Sequence, residues 1–204
     1  MTDQYAVFGN PVAHSRSPQI HAAFAQQTQQ PLDYTRQQVE PGNFVAAADE
    51  FFAQGGKGLN ITVPFKLEAY EYAVRLTPRA RRAGAVNTLA LQDDGTILGD
   101  NTDGVGMVGD ILNNHGWSIA GQRVLVLGAG GAVRGVLEPL LAQGPQRLVI
   151  ANRTLAKALQ LVRGFKGLVQ PGGKLQACGY EDLTGLQFDL VINGTADRVA
   201  PPAD

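Results

Sequence analysis

Two unbroken apolar runs, at residues 124–127 and 148–151, and two further strand candidates, at 175–178 and 190–192, punctuate the second half of the chain. Unbroken apolar runs of this length predict strands buried on both faces, as in the interior of a parallel sheet. Residues 133–142 lie between the first two runs and carry apolar positions at helical spacing, so a strand–helix–strand unit is expected there. The first half of the chain is more mixed. Residues 5–9 read as a short apolar strand, 33–39 as an alternating one, and 43–54 as an amphipathic helix with Phe44, Ala47, Ala48, Phe51 and Phe52 inward. Ser17 before Pro18 marks a helix start, with Ser17 as N-cap and the helix over 19–27. A third strand is expected over 58–63, with Asn60 and Thr62 on one face. A helix over 67–75 follows, then a short basic helix over 79–82. A strand over 84–91 turns at Asp94-Gly95 and returns over 96–99. Residues 105–114 form a helix burying Val108, Ile111 and Leu112, and connect two α/β domains.

Composition narrows the class. With 44% hydrophobic and 17% charged residues and a net charge of −1 over 204 residues, the chain is an ordinary globular protein, not basic enough for nucleic acid. Met1-Thr2-Asp3-Gln4-Tyr5 has neither a charged nor an apolar leader region, and no apolar run reaches membrane-spanning length, so a cytoplasmic protein is expected. The single cysteine, Cys178, excludes an internal disulfide. The three histidines, His14, His21 and His115, are too scattered for a structural zinc site, and Asp100 and Asp103 lack calcium-loop spacing, so no metal is expected.

The candidate chemistry starts at residues 128–132, Gly-Ala-Gly-Gly-Ala, directly after the first apolar run. Gly128 allows a tight turn with positive φ. Gly130 and Gly131 remove the Cβ atoms that would hold a phosphate away from backbone N–H groups, and the next helix points its positive end at the anion. This is a dinucleotide-binding turn, imperfect because Val133 stands where the fingerprint wants a small residue. An NAD site would carry an acidic residue at the end of the second strand. This chain has Asn152, Arg153 and Thr154 there, which suits a 2′-phosphate and argues for NADP; Thr154 also reads as a helix N-cap. In the first half, Ser15 and Ser17 stand where a small carboxylate could be held. Lys66 opens a helix, a position that costs a cation about 0.3–1 kcal/mol against the macrodipole and so asks for a reason.

Six motifs, Ser15-Arg-Ser-Pro18, Asn60-Ile-Thr-Val-Pro-Phe-Lys66, Gly84-Ala-Val-Asn-Thr88, Gly99-Asp-Asn-Thr-Asp-Gly104, Gly128-Ala-Gly-Gly-Ala132 and Asn152-Arg-Thr154, occur in an order and spacing that resembles the shikimate dehydrogenases. The resemblance spans nearly the whole chain. It implies NADPH-dependent reduction of 3-dehydroshikimate to shikimate, in aromatic amino acid and chorismate biosynthesis. The implied substrate domain covers residues 1–102, the connecting helix 103–115 and a Rossmann-like NADP-binding domain 116–204, with the active site in the cleft between the domains. By the same resemblance Ser15, Ser17 and Thr62 bind the substrate carboxylate. Asn60, Asn87, Lys66 and Asp103 surround the ring hydroxyls, with Lys66 and Asp103 as the catalytic pair. Gly128, Ala129, Gly130, Gly131 and Ala132 take the pyrophosphate. Asn152, Arg153 and Thr154 take the 2′-phosphate, helped by Lys157, which keeps the charge of the arginine common at that place but not its fork.

Two departures accompany the resemblance. Gly194 replaces the alanine of the family's Asn-Ala-Thr loop, and family members continue past the position of Asp204 through further strands and a final helix, so the nucleotide domain is expected to be truncated, with four strands in place of six. Two further readings stay open: a quinate/shikimate dehydrogenase of looser specificity, and a non-catalytic ligand-binding relative, against which the retention of Lys66 and Asp103 argues.

Overall fold

A computed structural model describes residues 2–195 and divides into two compact units, Met1–Thr102 and Asp103–Asp204. Residues 196–204, the end of the expected nucleotide domain, lie outside the described residues. The first unit runs β1 (Asp3–Gly9), α1 (Ser17–Thr28), β2 (Leu32–Gln38), α2 (Phe44–Ala53), β3 (Gly56–Ile61), α3 (Lys66–Tyr72), β4 (Arg75–Leu76), α4 (Pro78–Ala83), β5 (Thr88–Leu91) and β6 (Ile97–Asp100). Its six-stranded sheet has the order β2-β1-β3-β5-β6-β4, with β1 parallel to both neighbours and β5 antiparallel to β3 and β6.

Strand alternation sorts this sheet into two faces. Ala6, Phe8, Leu59, Ile61 and Leu89 point into a core closed by Phe44 and Ala48 of α2, Phe65, Ala69 of α3 and Ala80 of α4. The inward set expected for α2 is all in or against this core. The opposite face carries Tyr5, Val7, Tyr34, Gly58, Asn60, Thr88 and Ala90, residues of alternate register on adjacent strands. That face is therefore mixed, with a small apolar cluster around Val7, Val12 and Tyr34 beside a row of polar groups.

The second unit runs α5 (Asp103–Gly109) into a π-helical turn (Asp110–Asn114), then β7 (Arg123–Leu127), α6 (Gly131–Ala142), β8 (Arg147–Ala151), α7 (Leu155–Phe165), β9 (Lys174–Cys178) and β10 (Leu190–Asn193). Its four parallel strands have the order β10-β7-β8-β9. Both faces of β7 and β8 are covered, as their unbroken apolar runs require. Val124, Val126, Leu148 and Ile150 pack against Val133, Leu137 and Leu140 of α6, and Leu125 and Val149 against Leu183 and Phe188 on the other side. Pro139 sits inside α6 and has no N–H to give the carbonyl of Gly135, four residues earlier. Gly104 lies against that carbonyl, and a Cβ on it would also come within 2.7 Å of Pro139 Cγ. Thus α5 docks where α6 has lost a hydrogen bond, and only glycine fits.

Several expected elements shift for identifiable reasons. Ser17 is the first residue of α1, not its N-cap; Arg16 holds that place without a side-chain cap, and Ser15 Oγ accepts the Ser17 N–H at 3.3 Å. The helix expected to reach residue 75 ends at Tyr72, because Ala73 turns extended and frees Arg75 and Leu76 to pair with Leu98 and Gly99. The strand expected from residue 84 starts only at Thr88, since Gly84 (φ 61°) terminates α4. In place of sheet pairing, Val86 N–H donates to Lys66 O at 2.9 Å and Asn87 N–H to Asp100 O at 3.0 Å. The third strand stops at Ile61, so Thr62 lies beyond it, its N–H on Phe8 O at 2.9 Å. Thr154 is the N-cap residue of α7 by position, but its side chain makes no cap bond.

Candidate active site

In the first unit the expected substrate residues gather at the ends of β3 and β5 and the start of α1. The main chain draws them together first: Ile61 N–H donates to Asn87 O at 2.8 Å, and the Lys66 carbonyl is held by the residue before Asn87. A side-chain relay then runs across them. Ser15 Oγ donates to Ser17 Oγ at 3.1 Å, and Ser17 hydrogen-bonds the Tyr34 oxygen. Tyr34 Oη donates to Asn60 Oδ1 at 2.6 Å, Asn60 Nδ2 to Thr88 Oγ1 at 3.4 Å, and Thr88 Oγ1 to Asn87 Oδ1 at 2.9 Å. Asn87, nearly buried, closes a ring with Thr102: its Nδ2 donates to Thr102 Oγ1 at 3.0 Å, and its Oδ1 accepts the Thr102 N–H at 3.0 Å. Ser15, Ser17, Asn60 and Asn87 are thus members of one hydrogen-bonded row. Thr62 and Lys66 adjoin it through the backbone.

The loop into Asp103 is pinned residue by residue. Asp100 accepts Thr77 Oγ1 at 2.6 Å and Arg79 Nε at 2.7 Å, with a second bond from Arg79 Nη2 and one from Asn101 N–H at 2.8 Å. These hydrogen bonds, led by the one from Arg79, hold the Asp100 carboxyl below its ordinary pKa. Asn101, 2% exposed, donates to Ala85 O at 3.0 Å. Asp100, Asn101 and Thr102 therefore each anchor one residue of a loop whose next residue, Asp103, begins α5 in the second unit. Thr88, Asp100 and Thr102 lie inside the motifs at 84–88 and 99–104 but are assigned no role there, and Tyr34 and Arg79 lie outside every motif. Only the alternation that puts Tyr34 and Asn60 on one face, on the strands either side of β1, could have hinted at Tyr34.

In the second unit the glycine turn and the end of β8 lie side by side, since Gly128 N–H donates to Ala151 O at 2.8 Å. Gly128 has φ 101°, and a Cβ there would meet Gly194 O at 3.0 Å. Gly130 precedes α6 without a side-chain cap, no acidic residue lies in the first turn, and Cβ atoms at Gly130 and Gly131 would enter open space. The first N–H groups of α6 are thus presented to that space beside Ala129 and Ala132. At the adjacent strand end Asn152 Nδ2 donates to Thr154 O at 2.9 Å, a local turn with Arg153 at its tip. Arg153, Thr154 and Lys157 are all exposed, with no carboxylate among residues 151–157. A pyrophosphate on the helix end and a further phosphate beside two cations fit these residues.

The departures at Val133 and Gly194 explain each other. A Cβ on Gly194 would lie 2.5 Å from Val133 Cγ2, so the larger side chain at 133 occupies the room that alanine at 194 would need.

Comparison with known proteins agrees with this geometry. The family model of the shikimate dehydrogenase substrate binding domain matches residues 7–89, and that of shikimate / quinate 5-dehydrogenase matches residues 110–198. A shikimate dehydrogenase (NADP(+)) of Cellvibrio japonicus is 62% identical over 96% of this chain and 69% of its own. Among solved structures, an enzyme from Pseudomonas putida is 46% identical at a TM-score of 0.87, covering 95% of this chain and 69% of that one. Shikimate 5-dehydrogenase of Thermus thermophilus, solved with NADP(H) and shikimate, is 32% identical at a TM-score of 0.82 over the same shares. With both family models falling on the two halves just described, and with identity of this order along nearly its whole length, the chain belongs to the shikimate dehydrogenase family.

Proposed function

We propose that the chain catalyses the reversible NADPH-dependent reduction of 3-dehydroshikimate to shikimate. The observation that carries this reading is the hydrogen-bonded row joining Ser15, Ser17, Asn60 and Asn87, which puts hydroxyl donors at one end and amides at the other. A planar ring acid with hydroxyls on its far edge matches that order. Ser15, Ser17 and Thr62 donate to the carboxylate, and Asn60 and Asn87 take the ring hydroxyls.

Bound NADPH would be held by residues 128–132 through their N–H groups and by Asn152, Arg153, Thr154 and Lys157 at the 2′-phosphate; it supplies the hydride that the ketone carbon accepts. As the carbonyl oxygen gains charge it must be protonated, and the Lys66 ammonium is the group proposed to give it a proton. Asp103 is proposed to hold the lysine's charge and orientation. In the reverse direction neutral Lys66 takes the proton from the shikimate hydroxyl. The substrate domain is proposed to be residues 1–102 and the connector 103–115, with the nucleotide domain from 116. A cytoplasmic location belongs to the same reading, because NADPH is supplied there; no helix among the described residues is long and apolar enough to cross a membrane.

Lys66→Ala tests the chemistry. It should lower kcat by about 10²–10⁴-fold with a smaller change in KM. Asp103→Asn should also lower kcat, and the double variant should lose far less than the product of the two. Near-normal turnover in Lys66→Ala, or multiplicative losses, would overturn these assignments. Comparing shikimate with quinate in the same assay measures how strict the substrate choice is.

A further inference from the structure

Tyr34 stands between the groups assigned to opposite ends of the substrate. A phenol has one proton to give. Here it is committed to Asn60 Oδ1 at 2.6 Å, the shortest bond of the row. An asparagine whose oxygen is taken by a strong donor must turn its NH₂ the other way. Asn60 Nδ2 accordingly points toward Thr88, 3.4 Å away, which takes one of its two protons and leaves the second for a ligand oxygen. Thr88 passes the same polarity on, giving its proton to Asn87 Oδ1 at 2.9 Å. The direction of the row is therefore held from both ends, by Tyr34 on Asn60 Oδ1 and by the Thr102 N–H on Asn87 Oδ1, and of these the Tyr34 bond is the one made directly to the Asn60 oxygen.

The ring is held independently of its hydroxyl. It is 9% exposed and stacks on His21 with centroids 4.1 Å apart and planes 3° from parallel. On the neighbouring strand it lies opposite Tyr5, whose own ring fills the space above Gly58. Burial pushes the Tyr34 pKa up to about 12, against which the Ser17 hydrogen bond acts in the lowering direction, so the hydroxyl remains a donor at every working pH.

We propose that Tyr34 is the positioning residue of the substrate site: its hydroxyl locks Asn60 as a hydrogen-bond donor to the substrate. The proposal rests on the reading of Asn60 as a substrate-binding group. Tyr34→Phe keeps the ring and removes only the oxygen, so Asn60 Oδ1 loses its donor and the amide is held only by its longer bond to Thr88.

The test is steady-state kinetics and calorimetric titration with shikimate on the full chain, for Tyr34→Phe, Asn60→Ala and the double variant. Tyr34→Phe should raise KM and Kd for shikimate by about 5- to 20-fold, the worth of one oriented hydrogen bond. Its kcat should stay within about threefold and its NADP affinity should not change. The double variant should match Asn60→Ala alone, because without the amide there is nothing for Tyr34 to orient. Should Asn60→Ala weaken shikimate binding while Tyr34→Phe does not, or should the two effects multiply, Tyr34 is not acting through Asn60 and the proposal is overturned with the site reading intact. Unchanged shikimate binding in Asn60→Ala overturns the site reading, and the proposal with it. Equal losses for shikimate and NADP in Tyr34→Phe mark a general folding defect and also overturn it.

Discussion

Replacing Gly194 by alanine probes the nucleotide turn most directly. The added Cβ would stand 2.5 Å from Val133 Cγ2, where ordinary contact begins near 3.4 Å, so about 1 Å must be found. Val133 is 1% exposed in the main core of the second unit and cannot swing away. Leu127 O at 3.3 Å blocks the other side, and Gly194 O already lies 3.0 Å from the Cβ position of Gly128. Overpacking of this size costs roughly 1–3 kcal/mol, and the strain falls on the Gly128 turn, so NADP affinity should fall as well. Val133→Ala alone removes two buried methyl groups and should cost about 1.5–3 kcal/mol. Together the substitutions should cost less than their sum by about 1–3 kcal/mol, since the alanine at 194 enters the room vacated at 133. Urea unfolding of the four members of this cycle, with NADP titration on each, measures the coupling. Additivity within about 0.5 kcal/mol would show that Val133 and Gly194 do not compete for space.

Arg153→Ala should weaken NADP binding by about 10- to 150-fold, the equivalent of roughly 1.5–3 kcal/mol for a charge-assisted contact, and leave NAD nearly unaffected; equal losses for both cofactors would mean that Arg153 does not read the 2′-phosphate. The Asp100 anchor should show in acid. Its folded pKa lies below the unfolded value near 4, so its stabilisation is complete above that value and is lost as pH falls through the folded pKa. Thermal unfolding of the wild type and Asp100→Asn should therefore differ at pH 6 and converge toward pH 2.5, and a constant gap would refute the charged anchor.

The chain's own sequence determined the two α/β halves and their family, because these depend on local signals. Unbroken apolar runs specify buried parallel strands, Gly128 is required by a positive φ, and six spaced motifs need no knowledge of contacts. It also marked Ser15, Ser17, Asn60, Asn87, Arg153 and their companions as candidates by residue type and place in a motif. What the sequence could not express is partnership at a distance. Residues 73–75 look helical until Arg75 and Leu76 meet Leu98 and Gly99, and residues 84–87 look like strand until Lys66 O and Asp100 O take the N–H groups of Val86 and Asn87. Tyr34 carries no motif and acquires its place only when β2 and β3 line up on either side of β1. Val133 and Gly194, each a blemish when read alone, become one compensated contact across 61 positions of chain. A side chain's propensity is written locally, whereas the direction of a hydrogen bond and the room for a methyl group are set by whichever distant segment packs against it.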